Sequence, residues 1–385
     1  MNYQKAAFLD LFLARQLLKL ASLIPPYPKQ LQGKVDVKKL LIMKFWGVGS
    51  IIEATPLFRT LKLEFPHASI DILTFSENRE IISSLGIFHN IHVLDIRKGW
   101  LIFFTQAAGF IIRHRNRYSL IIDLEFFAYF SALMTKILNS EYALGFGTFF
   151  VFRNRCYSRN VVFDHSNHIR LIFLKFLNAL DIRPPGDMSL SKSIISEEKK
   201  RLVLQIFPVL EGVSLKVAIN INSSELCRNR SWPEENFRRL IILMQADNSE
   251  LEIYLSGGKD DVPKVKRFYD LLPNKRKVFF IAGKLDILEF SFFLSRMDWL
   301  ITSDSGPLHI AESVGTPVIS FFGPETPNLY GPLLKKSFIF YKNLYCSPCL
   351  NTYNHKRTNC ADNQCLKMIT VEDVYRRIKT MGLKP

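Results

Sequence analysis

A chain of 385 residues, 48% hydrophobic and 22% charged, is long enough for two domains and has the apolar surface for packed cores. A small disulfide scaffold and wholesale disorder are both excluded. Lys and Arg number 51 against 35 Asp and Glu, a formal net of +16, which implies a polyanionic partner: nucleic acid, an anionic membrane surface or a phosphorylated substrate.

The excess is spread along the chain. Residues 1–190 hold 23 basic and 14 acidic side chains and the remainder 28 and 21, nets of +9 and +7. The 32 Phe outnumber 13 Tyr and 4 Trp, a composition of cores more than of base-stacking surfaces.

In residues 1–30, Phe8, Leu9, Phe12, Leu13, Leu17 and Leu20 recur at helical spacing, interrupted by Lys5, Asp10, Arg15 and Lys19. Those charges exclude a spanning helix and the apolar core of a signal peptide, so a cytoplasmic protein is expected. The segment either packs on its own domain or lies in a membrane interface. From Lys38, strand-like runs at 39–45, 69–75, 91–94 and 120–124 alternate with helical patterns at 57–65 and 100–114, which predicts a parallel sheet covered on both faces. The Pro, Gly and Ser content of 181–192 marks a linker. Beyond it, runs at 216–221, 251–255, 277–281, 298–302 and 317–322 restart the alternation. The expected organisation is an amphipathic segment 1–37, a first α/β domain 38–185, a second 193–345, and a Cys-rich segment with a terminal helix at 346–385. That helix opens on Thr370 and Asp373, spaced like a capping box.

Chemistry concentrates in a few stretches. In WLITSDSGPLHIAESVGTPVISFFG at 299–323, a strand runs through a loop into a helix, with Asp304 or Ser305 as cap and Pro307 at the first helical position. Gly306 lets a ligand approach the backbone and His309 lies in the first turn, so the helix start forms a natural diphosphate site. The plainer reading makes Asp304 only a cap and His309 only a half-buried imidazole. The loop KFWGVGSIIEATP at 44–56 holds Gly47 and Gly49 but has Ile52 at the third position of GxGxxG. It is a tight turn that presents its backbone and Ser50, with Glu53 one turn later.

Cys346, Cys349, Cys360 and Cys365 follow CxxC, ten residues, CxxxxC. They make either a structural zinc site or reduced or redox-linked thiols; no partner for an activated water argues for a catalytic metal. Cys156 and Cys227 stand apart and are expected to be buried. Arg113, Arg115 and Arg117 follow an apolar run, and Arg153, Arg155, Arg159, His165, His168 and Arg170 crowd another part of the same domain.

DSGPLHIAESVGTPVISFFGPETPNLYGP at 304–332 closely resembles the signature of glycosyltransferase family 9, the bacterial heptosyltransferases of lipopolysaccharide core synthesis. Stretches 39–65, 118–126 (YSLIIDLEF) and 220–237 (NINSSELCRNRSWPEENF) resemble it in the family's order, and the likeness covers about 38–380. It implies the GT-B form of the α/β class: two Rossmann-like doubly wound domains facing across a cleft, acceptor on the first and nucleotide-sugar donor on the second, with no cofactor for catalysis. The donor residues carried over are Asp304, Ser305, Gly306 and His309, Arg230 as the basic residue before WP, Ser223 and Ser224 beside it, and the Gly257-Gly258 turn. One departure matters. Where the family carries an Asp as general base, this chain has Ser50, which at its ordinary pKa cannot take the proton, leaving Glu53 and Asp123 as candidates.

If the first domain binds the acceptor, Gly49, Arg153, Arg155, His165 and His168 suit an anionic glycolipid at the inner leaflet. The resemblance thus implies an inverting, metal-independent transferase, cytoplasmic and peripheral on the inner membrane, that moves a heptose or related sugar from ADP-heptose to lipopolysaccharide core or a related glycolipid. Ser50 keeps open a different nucleotide sugar and acceptor. A zinc-containing nucleic-acid binder would explain the charge and the cysteines but not DSGPLH.

Overall fold

The computed structural model describes residues 10–21, 36–126, 128–148, 151–223, 228–351, 354 and 358–381. The chain divides into two compact units, Met1–Ser191 and Lys192–Pro385.

In the first unit, β1 (Lys39–Met43), β2 (Ser69–Phe75), β3 (Asn90–Leu94), β4 (Leu120–Asp123), β5 (Tyr142–Gly147) and β6 (Arg159–Val162) pair in the order β3-β2-β1-β4-β5-β6. Every pairing is parallel. Leu40 to Met43 are all fully buried, because helices cover both faces of a parallel sheet and its central strand becomes one unbroken apolar run. The second unit repeats the plan with β7 (Lys216–Asn220), β8 (Glu252–Ser256), β9 (Val278–Phe280), β10 (Trp299–Ser303), β11 (Val318–Phe322) and β12 (Phe338–Tyr341), ordered β12-β11-β10-β7-β8-β9. Counted from its own first strand, each sheet runs 3-2-1-4-5-6, the order of dinucleotide-binding folds. The order reverses between β1 and β4 and between β7 and β10. At such a switch point the strand carboxyl ends open a crevice, which locates the candidate sites.

Nine strands fall where the hydrophobic runs place them, within one or two residues. The pattern alone misses β5, β6 and β12. β5 (YALGFG) is diluted by two glycines, and Gly145 is needed because a Cβ there would lie 2.2 Å from the Tyr157 ring. β6 and β12 are four-residue edge strands.

Of the two readings of the N-terminal segment, the described part packs on its own unit. Ala14 and Leu18 join the core with Met134 and Leu138, while Phe12, Leu17 and Leu20 face outward. The Asp10 carboxylate accepts from the backbone N–H of Tyr129 (2.9 Å) and Phe130 (2.7 Å), capping the Tyr129–Leu138 helix. Phe8 and Leu9 lie outside the described residues. The linker is tied back to the first unit, where Arg59 donates to the Ser189 carbonyl (2.7 Å) and the Ser191 N–H donates to the Thr55 hydroxyl (3.0 Å).

In the second unit, Trp232 is wholly buried, stacked on Phe321 at 4.3 Å, with its indole N–H on the Ile369 carbonyl (2.9 Å). The terminal helix Val371–Thr380 opens as the sequence predicts, with the Asp373 N–H donating to the Thr370 hydroxyl (3.2 Å). Among the described residues, no helix is long and apolar enough to cross a membrane.

Candidate active site

In the first unit the chain leaves β1 through Lys44, which is 1% exposed. Its ammonium donates to the Glu125 carboxylate and the Trp46 carbonyl, both at 2.8 Å. The same Glu125 oxygen accepts from the N–H of Phe45 (2.7 Å) and Trp46 (3.0 Å), so a residue just past β4 fixes the loop that follows β1. Gly47 then takes φ +81°, a conformation a side chain resists, and starts the short helix Val48–Glu53. Gly49 is buried in that helix. The Ser50 hydroxyl donates to the Trp46 and Gly47 carbonyls (2.8 and 2.9 Å), which gives it a loop-closing role.

Glu53 ends the helix fully buried, and its carboxylate accepts from Arg170 Nε at 2.9 Å. Asp123 is equally buried but fully engaged. It accepts from Tyr157 (2.6 Å), Ser131 (2.8 Å) and the Glu125 N–H (3.0 Å), with Arg153 at 3.6 Å. Burial pushes its carboxyl up, against the pull of Arg153 and the hydroxyls.

Several basic residues expected on an acceptor face have other positions. Arg153 is only 1% exposed, and its guanidinium donates to the Ala128 and Glu125 carbonyls, so the cation is part of the core and not of a surface. His168 is buried and caps the Ile169–Asn178 helix, its Nδ1 accepting from the Arg170 N–H at 3.3 Å. Arg155 is exposed, and His165 is half-buried against the Phe163 ring. A run of basic residues does not reveal which of them a helix turns inward.

In the second unit the residues expected to bind donor gather at the carboxyl ends of β7 and β10. Asn220 donates to the hydroxyls of Thr302 (3.1 Å) and Ser305 (3.2 Å), and these two hydroxyls lie 2.9 Å apart. Ser305 holds the N-cap position of the Gly306–Val314 helix but makes no side-chain cap. Asp304 does not cap either: its carboxylate faces Arg230 at 3.3 Å. The first turn therefore keeps its amino-terminal N–H groups and positive dipole end for an anion. A Cβ on Gly306 would meet nothing within 4 Å, so the backbone there is approachable. His309 is buried in the same turn, with the Tyr330 ring edge-on at 6.5 Å.

Arg230 comes from a separate loop. That loop is docked by the Trp232 N–H on the Ser303 hydroxyl (2.9 Å) and by Asn363, which donates to the carbonyls of Asn229 (3.0 Å) and Ser231 (3.1 Å). The other arm of its guanidinium lies 3.6 Å from Glu325, a carboxylate 1% exposed. One planar fork thus spans two acids, a geometry that Arg supplies and Lys does not. Gly257 is packed tightly, since a Cβ would sit 2.9 Å from the Asn222 amide and from Asp261, and the Gly258 N–H donates to Asp261 (2.9 Å). Ser223 is half-buried in the loop after β7. Ser224 and Cys227 lie outside the described residues.

Glu325, Asn220, Lys44 and Glu125 form no pattern in the sequence. Each acts through a partner about eighty or more residues away. The only signal was position, directly after a strand or inside the GPETP stretch.

The four clustered cysteines are free thiols in this structure. Among the described residues no three of their sulfurs lie within 4.8 Å of one another. Cys346 is exposed, while Cys365 is buried against Gly323, where a Cβ would come 2.6 Å from its sulfur. Burial, with Cys349 and Cys360 nearby, pushes the Cys365 thiol up to about 11. The segment also braces the Arg230 loop, through Asn363 and the Cys360 carbonyl. Cys156 is buried, as its isolation suggested.

Two Rossmann-like units, each with a sheet of order 3-2-1-4-5-6, give the GT-B architecture of a glycosyltransferase. A family model described as glycosyltransferase family 9 (heptosyltransferase) matches residues 113–358, well over half of the chain, and the chain belongs to that family. It is 22% identical over 354 residues to lipopolysaccharide heptosyltransferase 1 of Campylobacter coli, spanning 89% of this chain and 98% of the relative. Among solved structures it is similar to a glycosyl transferase family 9 protein of Veillonella parvula, with TM-score 0.72, 20% identity and coverage of 92% and 98%. It is also similar to the ADP-heptose lps heptosyltransferase II of E. coli, with TM-score 0.67, 18% identity and coverage of 89% and 98%.

Proposed function

We propose that the protein transfers a heptose, with inversion, from ADP-heptose to lipopolysaccharide core or a closely related anionic glycolipid, without a catalytic metal. The observation that carries this reading is the uncapped start of the Gly306–Val314 helix, flanked by Asp304 and by Arg230 in the grip of Glu325. It is a site for a sugar diphosphate within a heptosyltransferase family.

In the reaction the acceptor hydroxyl attacks the anomeric carbon from the face opposite the diphosphate, and the bond to the diphosphate oxygen breaks. The charge developing on that oxygen is met by the Arg230 guanidinium and the helix N–H groups, donors already oriented before the reaction begins. Asp304 and His309 orient the sugar and Gly257 shapes the nucleotide turn. The proton of the attacking hydroxyl passes to a carboxylate. Glu53, one turn past Ser50 on the same short helix, takes that role in preference to Asp123. The acceptor and the anionic inner leaflet account for the positive charge of the first unit, with Arg155 and His165 as the surface contacts. Nucleic acid has no part in this reading.

The test is incubation of the full chain, with and without EDTA, with ADP-heptose and a panel of other nucleotide sugars plus core-truncated bacterial glycolipid. The expected product gains one heptose from ADP-heptose alone, insensitive to EDTA, with anomeric configuration opposite to the donor. Product from another nucleotide sugar only would replace the donor assignment.

A further inference from the structure

Beside the loop after β1, the first unit contains a cavity of about 330 Å³ between the helices Trp100–His114 and Tyr129–Leu138 and the N-terminal helical segment. Phe45, Trp46, Phe75, Trp100, Phe103 and Phe130 supply aromatic walls. Asp10 is its single ionisable lining residue, and that carboxylate is committed to the N–H groups of Tyr129 and Phe130. No phosphate donor or sugar-binding amide lines the space, so it is not built for a nucleotide or a glycan.

Its mouth is marked by lining residues that reach solvent: Leu17 (44% exposed), Phe104 (43%) and Ala108. Around it the same two helices turn apolar side chains outward, with Leu101 78% and Ile112 81% exposed on one, and Phe12 58% and Leu20 64% on the other. Exposed apolar surface of this kind is a mark of a contact site. Ile111 is the last lining residue of its helix, and Arg113, Arg115 and Arg117 follow it within two turns, all exposed. Among the described residues no carboxylate forms an ion pair with these three. An apolar slot, an apolar rim and cations just beyond it are complementary to an anionic amphiphile. Size selects among such partners. One turn of helix, about 10 Å across and about 5.4 Å long, already fills over roughly 400 Å³. A single acyl chain fits, since 330 Å³ holds about ten groups of methylene size at the roughly 30 Å³ that a water molecule occupies.

We propose that this cavity takes one acyl chain of an anionic membrane lipid, the apolar rim resting in the interface and Arg113, Arg115 and Arg117 meeting the head group. The inference does not depend on the donor assignment.

The probe is 1-decanoyl lysophosphatidylglycerol, its chain matched to the cavity, below its critical micelle concentration. Binding to the full chain is read by native mass spectrometry and by the fluorescence of Trp46 and Trp100, which line the cavity. A one-to-one complex is expected. Ala108→Trp, which plugs the mouth from an exposed position, weakens it at least tenfold without lowering the thermal midpoint. Leu17→Trp repeats the test from the other wall. The triple variant Arg113→Ala, Arg115→Ala, Arg117→Ala lowers the preference over lysophosphatidylcholine but keeps the complex. Equal binding by both plugged variants, or equal competition by glycerophosphoglycerol without a chain, overturns the proposal. So does pelleting with phosphatidylglycerol vesicles in the absence of any one-to-one lysolipid complex. Heptose transfer to a deacylated, water-soluble acceptor is measured in parallel. Transfer without lipid binding sinks this inference alone, and lipid binding without transfer sinks the functional reading alone.

Discussion

Arg230→Ala removes the cation that lies between Asp304 and Glu325 and leaves two carboxylates, 7% and 1% exposed, without it. Deleting one partner of a buried pair costs about 3–5 kcal/mol. Arg230 is itself 15% exposed, and that access lets water screen the charge, which brings the expected loss to about 2–3 kcal/mol. In a unit of this size each kcal/mol moves the midpoint by about 2–4 °C, so the melting temperature falls by roughly 4–12 °C. Turnover falls separately by a factor of about 10² to 10³, the usual effect of removing one preorganised donor from a developing oxyanion. The two losses are separable. Adding Glu325→Gln to Arg230→Ala makes one acid neutral and restores part of the midpoint, while transfer stays low because the guanidinium is still missing. Differential scanning calorimetry and a steady-state transfer assay read both. An unchanged midpoint in Arg230→Ala would refute the ion-pair bookkeeping, and recovery of transfer in the double variant would refute the role of Arg230 charge.

The Asp10 carboxyl is pushed up to about 6 by burial, against the two N–H groups that it caps and the charge of Arg153. The folded state therefore takes up a proton between the ordinary value of 3.8 and about 6, and stability falls as pH rises through that window; the full effect is at most about 3 kcal/mol. Asp10→Asn keeps the cap and flattens the difference between urea midpoints at pH 4 and 7.5, whereas Asp10→Ala loses about 1 kcal/mol of cap; an Asn variant with an unchanged pH dependence contradicts this. Two glycines give opposite outcomes for the same substitution. Gly257→Ala collides with the Asn222 amide at 2.9 Å and lowers the midpoint, while Gly306→Ala meets nothing within 4 Å and keeps it, yet raises the donor KM at least tenfold; calorimetry with donor kinetics checks both. At pH 8 Cys346 reacts with a thiol reagent at once and Cys365 only on unfolding; equal reaction of both in the folded protein contradicts this packing.

The strand runs, the terminal helix with its Thr370 cap and the Gly306–Val314 helix start were legible because they are local: apolar periodicity, a cap residue, a Pro at the first helical turn. What escaped was non-local. Arg153 belonged to a row of basic residues in sequence, but the short helix Val151–Asn154 turns it onto Asp123 and two carbonyls. His168 resembled an acceptor contact and is a helix cap. Asp304, one of two candidate caps in the sequence, faces Arg230, with Glu325 on the other side, two contacts that exist only after β10 and the 228–232 loop are brought together. The cysteine spacing likewise does not show that Cys365 packs inward on Gly323 while Cys346 is exposed.

The central claim is that the second unit binds and activates a sugar diphosphate through Arg230 and the Gly306 helix start. Single-turnover transfer from ADP-heptose to core-truncated glycolipid, followed by mass spectrometry for wild type and Arg230→Ala at saturating donor, tests it most directly. The account predicts full conversion by the wild type and a rate at least a hundredfold lower in the variant, with ADP still bound weakly. Equal single-turnover rates in the two proteins would contradict it.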